Sequence, residues 1–145
     1  MSESLARTIA ETLLAREGTG AAWDLRITHA SPGCACVAMI VREDMTNGHG
    51  MVHGGMVFAL ADTAFAYACN SRNVATVSQS ATIIHIAPAH VGDELVAEAR
   101  EVALAGRSGI YSVTVRTSGG QIIAQFQGHS RSLGQPVISE AGSTA

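Results

Sequence analysis

Residues 56–69 read Met-Val-Phe-Ala-Leu-Ala-Asp-Thr-Ala-Phe-Ala-Tyr-Ala-Cys. The run is long enough for a helix and is apolar on every side, so it has no polar face to turn toward water. Such a helix is expected to be buried all round. Asn70-Ser71-Arg72-Asn73 stops it, and a glycine-rich loop, Met45-Thr46-Asn47-Gly48-His49-Gly50-Met51-Val52-His53-Gly54-Gly55, leads into it.

The segments on either side read mostly as strands. Toward the N-terminus, Leu5, Ile9 and Leu13 recur at helical spacing, and Gly18 with Gly20 is expected to end that helix. Trp23, Leu25 and Ile27 alternate with Asp24, Arg26 and Thr28 as a half-buried strand, and residues 34–42 form a second after the turn at Ser31-Pro32-Gly33. Beyond the helix, strands are predicted over 74–88, 94–104, 108–116 and 121–133, with a polar tail that frays from Gly134. A single domain over 1–133 followed by a flexible 134–145 is the expected organisation. One wholly buried helix and six mostly antiparallel strands give an α+β fold. The sheet must curl around the helix, and a partner must cover what the sheet leaves open.

Composition leaves two readings open. Charged residues are 14% of the chain, against about 25% in ordinary globular domains; either part of the surface does not face water, as in an oligomer, or abundant alanine and glycine dilute the charges. A net charge of -3 gives no basic stripe for nucleic acid. No apolar run approaches the roughly 18 residues of a membrane span. Cys34, Cys36 and Cys69 have no disulfide-framework spacing, so a reduced, cytoplasmic setting is expected.

The chemistry centres on Asp62. A carboxylate amid Leu60, Ala61, Ala64 and Phe65 is costly unless it is paired, hydrogen-bonded or open to a watery crevice. His53-Gly54-Gly55 lies where the helix begins, and helix N-termini present unpaired N–H groups and partial positive charge. Glycine lets a carbonyl approach that backbone, where an N–H can hold a developing oxyanion. Asn47 and His53 add donors or acceptors in the same loop. Asp62 follows Gly54 by eight residues, roughly 12 Å at about 1.5 Å per residue. If both act on one carbonyl, two such helices must lie antiparallel across a twofold axis so that the site is shared.

Other motifs carry less. His49 and His53 have the spacing of two helical metal ligands, but the surrounding glycines disfavour a helix there, and no His-Glu-x-x-His run exists. The glycine loop fails as a dinucleotide or P-loop motif, and no Gly-x-Ser-x-Gly elbow is present. No metal and no cofactor are expected. His85, His90 and His129 read as structural or exposed strand residues.

From Asn47 through Ala66 the chain resembles the hotdog-fold acyl-CoA thioesterases of the phenylacetate-degradation type. The resemblance continues through Ile86-Ala87-Pro88, Gly92-Asp93 and Gly106-Arg107-Ser108-Gly109 to Phe126-Gln127-Gly128. It implies a hotdog fold, an antiparallel sheet wrapped around the central helix, in homotetramers built as dimers of dimers. It implies that Asp62 activates water or attacks the thioester, that Gly54 supplies the oxyanion N–H, that Asn47 helps place the nucleophile, and that His53 supports the carbonyl-binding loop. Related thioesterases with Glu at the Asp position carry Thr one turn later; this chain has Asp62 and Ala66, as the phenylacetate branch does.

Gly55 is carried as a substrate-binding neighbour of Gly54. Arg107 and Ser108 read plainly as a solvated hairpin, but the resemblance puts this turn near the coenzyme A phosphates. Phe65 is a core residue by default and a candidate wall of the acyl pocket. The expected reaction is hydrolysis of an aryl- or medium-chain acyl-CoA, phenylacetyl-CoA-like, to acid and free coenzyme A. A hotdog dehydratase and a non-catalytic acyl-CoA-binding module are the competing readings. The first should show a His/Glu or Asp/His pair for elimination, and the second gives no reason for a mid-helix Asp62.

Overall fold

The computed structural model describes residues 2–139: α1 (Ser2–Arg16), α2 (Gly18–Ala22), β1 (Arg26–Ser31), β2 (Cys34–Ile40), a 3-10 turn at Glu43–Met45, α3 (Gly54–Cys69), β3 (Thr76–His85), β4 (Glu94–Ala105), β5 (Ser108–Thr117) and β6 (Ile122–Ser132). The strands form one antiparallel sheet in the order β1-β2-β4-β5-β6-β3. Every strand of this sheet touches α3. Strands lie about 4.8 Å apart while a helix with its side chains is only about 10 Å across, so a flat sheet could not do this. Register shifts at Ile27/His29, Ser78/Ser80, Glu101/Ala103 and Val115/Arg116 supply the bending, because each bulge kinks its strand.

Leu95, Ala97 and Ala99 of β4, Tyr111, Val113 and Val115 of β5, and Ala124 and Phe126 of β6 meet Val57, Leu60, Ala61, Ala64, Phe65 and Ala68 of α3 in one core. The many alanines bring helix and sheet close, and the aromatic rings fill what remains. Phe65 lies 5.5 Å from Tyr111 and 5.8 Å from Phe126 between ring centroids. A Cβ on Gly128 would sit 2.7 Å from Cζ of Phe65, so the ring occupies the space a side chain would need. Gly128→Ala is expected to destabilise the protein by about 1–3 kcal/mol through overpacking. Denaturant unfolding checks this, and a midpoint equal to wild type would show that the ring has room to move.

The helix predicted to be buried on all sides is open along one stripe. Gly55 is exposed, and Ala59, Asp62, Thr63 and Ala66 are only half-buried, at the three- and four-residue spacing of a single face. At the sheet edge, β3 carries no Asp, Glu, Lys or Arg and leaves Val77 and Ile84 exposed.

Further expectations need correction. The first helix ends at Arg16, just before Gly18, as expected, but helical structure resumes at Gly18. Gly20 packs so tightly on Leu14 that a Cβ would lie 2.4 Å from Cδ1, and the chain forms α2 there. Trp23–Leu25 is consequently a turn and not a strand: Trp23 caps α2, Asp24 is left-handed at φ 52, and the Leu25 N–H donates to Gly20 O. The strand expected over 74–88 is shorter, and Pro88 lies beyond it.

The chain also does not fray at Gly134. Val137 and Ile138 are buried against Ile9. Asn73 Oδ1 accepts from both of their N–H groups, and its Nδ2 donates to Ile138 O. Residues 140–145 lie outside the described residues.

Candidate active site

The glycine-rich loop is a cinched ring. Thr46 and Val52 form an antiparallel bridge, and Asn47 N–H donates to Met51 O at 2.8 Å. Asn47 Oδ1 accepts from the N–H groups of His49 and Met51. Gly50 closes the turn at φ 77, where a side chain would strain the backbone. The Asn47 oxygen is thus spent on shaping the loop. Its Nδ2 makes no hydrogen bond among the described residues and is available as a donor.

The loop delivers the chain to α3 through His53, the N-cap. Its Nδ1 accepts from Gly55 N–H at 2.8 Å, so the neutral ring carries its proton on Nε2. One N–H at the helix start is therefore engaged and its neighbour is not. Gly54 N–H has no partner among the described residues, at the positive end of the helix dipole. This selects Gly54 over Gly55 as the donor open to a ligand oxygen. Asn47, Gly54, Val57 and His85 help line one cavity of about 330 Å³.

Asp62 lies on the open stripe of α3, two helical turns on. It makes no ion pair or hydrogen bond among the described residues, and burial pushes its carboxyl above the ordinary carboxylate range. Within one chain it does not line the Gly54 cavity.

Arg107 and Ser108 lie farther still. They help line a separate cavity of about 260 Å³ with Cys69, Arg72 and Tyr111, at the C-terminal end of α3. Neither Arg107 nor Arg131, which stands opposite Ser108 in the register, has an ion-pair partner among the described residues. Sequence reasoning missed Arg131, because its place beside the hairpin depends on strand register.

Phe65 is a correction: at 1% exposure its ring is core, clamped by Tyr111, Phe126 and Gly128, and offers no wall to a substrate. The thiols of Cys36 and Cys69 are poor nucleophiles. Burial raises Cys36 to about 11 and Cys69 to about 12, keeping both protonated near neutrality. Among the described residues, no three His, Cys, Asp or Glu side chains gather as a metal site.

The chain is similar to known proteins in sequence and in fold. The family model of the thioesterase superfamily matches residues 49–124, from the glycine loop to β6. The acyl-coenzyme A thioesterase PaaI of Escherichia coli is 36% identical over 132 residues, covering 91% of this chain and 94% of that protein. The acyl-coenzyme A thioesterase 13 of Homo sapiens is 29% identical over 92% of this chain and 97% of its own. The solved structure of the E. coli PaaI protein from the phenylacetic acid degradation operon superposes with a TM-score of 0.91 at 34% identity, covering 94% of this chain and 99% of the other. With α3 wrapped by the sheet and its N-terminus led in by the matched loop, the chain is a hotdog-fold protein and belongs to the thioesterase superfamily.

Proposed function

We propose that this chain hydrolyses acyl-CoA thioesters, with Asp62 and Gly54 as its central groups. The carrying observation is the pairing, on one helix, of an unengaged N–H at Gly54 with an unpaired, half-buried carboxylate at Asp62. The N–H holds the thioester oxygen while its carbon is attacked, and the helix dipole stabilises the negative charge that develops. Asp62 in its ionised form either takes a proton from water as hydroxide adds to the carbonyl carbon, or adds directly and is released by water. Either way the C–S bond breaks, the thiolate of coenzyme A leaves and takes up a proton, and the acyl group departs as the acid. Asn47 Nδ2 is placed to orient water or carbonyl, and His53 acts as the cap that keeps Gly54 presented.

The two groups act together only across subunits. Antiparallel apposition of two α3 stripes puts Asp62, and with it Arg107 and Ser108, beside the Gly54 cavity of the other chain. The open stripe, the uncharged edge β3 and the low overall charge support a homo-oligomer, a dimer that pairs again into a tetramer. Arg107, Ser108 and Arg131 would meet the coenzyme A phosphates. An aryl-acetyl or medium-chain acyl group, a single catalytic domain and a cytoplasmic setting complete the reading. It is supported by the relationship to PaaI and by three free cysteines.

Thiol release from a panel of acyl-CoAs tests the reaction. Turnover is expected, with an acid limb that falls as pH drops through the Asp62 pKa, at a midpoint above the ordinary 3.8 because burial favours the protonated form. A chain that releases no thiol from any acyl-CoA would not be this enzyme.

A further inference from the structure

His85 ends β3 and has no role in the scheme above. It sits two residues beyond Ile83, and their partners on β6, Ala124 and Phe126, are both core residues, so His85 shares the helix-facing side of the strand. There it meets the first residue of α3. A Cβ built on Gly54 would lie 3.1 Å from Nε2 and 3.2 Å from Cε1 of His85, with Cδ2 at 3.8 Å. The imidazole therefore approaches Gly54 with its Nε2 edge. Neither ring nitrogen has a hydrogen-bond partner among the described residues.

The neighbouring groups narrow the options. Gly55 N–H and His53 Nδ1 are occupied with each other, and the Asn47 oxygen is occupied by its own loop. Beside Gly54 N–H, the unengaged donors on this cavity are Asn47 Nδ2 and the His85 ring. A single backbone N–H is a thin provision for an oxyanion, which has lone pairs for more than one donor. We propose that His85 Nε2–H donates a second hydrogen bond to the thioester oxygen held by Gly54 N–H, so that His85 is a catalytic residue contributed by the strand. The same contact gives residue 54 a second reason to be glycine, since a side chain there would push the ring slightly off this position.

This inference rests on the reading of Gly54 as the oxyanion donor. The experiment measures kcat and KM for wild type, His85→Phe and His85→Gln, with thermal melting to establish that each folds. Phenylalanine keeps a flat ring against Gly54 without a donor, whereas the glutamine amide restores an N–H. His85→Phe is expected to lower kcat about a hundredfold, the loss of one oxyanion donor, with KM little changed. His85→Gln is expected to recover most of it. A folded His85→Phe enzyme with wild-type kcat overturns the proposal, as does one that loses only KM, which would make His85 a wall. A glutamine variant as slow as phenylalanine also overturns it, because shape and not donation would then matter. A wild-type protein inert toward every acyl-CoA instead brings down the thioesterase reading itself, and this proposal with it.

Discussion

Asp62→Asn is expected to lower thioester turnover at least about a hundredfold while making the protein more stable at neutral pH. The amide keeps the shape of the carboxylate but can neither accept a proton from water nor attack a thioester. The stability sign follows from burial, which raises the native pKa of Asp62 above its unfolded value. The native state then binds this proton more tightly than the unfolded chain does. The stability linked to it is fully present below the ordinary 3.8 and is lost as pH rises through the raised value. Asparagine does not ionise, so it escapes that loss. Its advantage should be visible at pH 7 and should vanish when wild-type Asp62 is protonated. Turnover and denaturant unfolding at two pH values read both effects. A folded Asp62→Asn enzyme with near wild-type turnover removes Asp62 from the mechanism.

Restoration of activity in a mixed dimer is the second large effect expected. Asp62→Ala and Gly54→Pro chains should each be inactive alone, because one lacks the carboxylate and the other the N–H. Proline is well suited to the second change. Gly54 is the first residue of α3, where a missing N–H breaks no helical bond, and His53 at φ -67, ψ 134 already has the extended backbone that precedes proline. The exposed His85 ring must yield slightly to the new atoms. In the heterodimer, Gly54 of the Asp62→Ala chain faces Asp62 of the Gly54→Pro chain, so one of the two sites is whole and about half of wild-type activity should return. Heterodimers verified by sizing and subunit exchange that remain dead would show that each chain carries its own site.

The parts legible in the sequence were those set by local pattern. An apolar run without a polar face required a covering sheet, and alternation marked most strands to within a few residues. The loop-to-helix junction marked Asn47, His53, Gly54 and Asp62 as worth testing. Contacts between distant segments were not legible. Trp23 and Leu25 alternate like a strand, but the fit of Gly20 on Leu14 turns that stretch into the end of a short helix. The polar composition after Gly134 hid Val137 and Ile138, which are held because the side-chain amide of Asn73 makes three hydrogen bonds to them. Phe65 read as a core residue first and a pocket wall second, and the sheet closing over it decides for the core. His85 carried a usable signal: it continues the two-residue alternation of Ala81 and Ile83, both packed against the core. Only the register of β3 against β6 showed that this face ends over Gly54.

The uncharged edge of β3 bears on how the protein must be handled. A strand with open N–H and C=O groups, exposed Val77 and Ile84, and no lysine or glutamate to repel a second strand is a template for unlimited edge-to-edge association. Edge strands elsewhere are guarded by charge or proline; this one is guarded only by whatever occupies it. Substitutions designed to yield single chains by weakening contacts elsewhere would therefore produce precipitate before they produced monomer. A lysine on the outer face of β3, at Ile84, is the change that would keep a separated chain in solution.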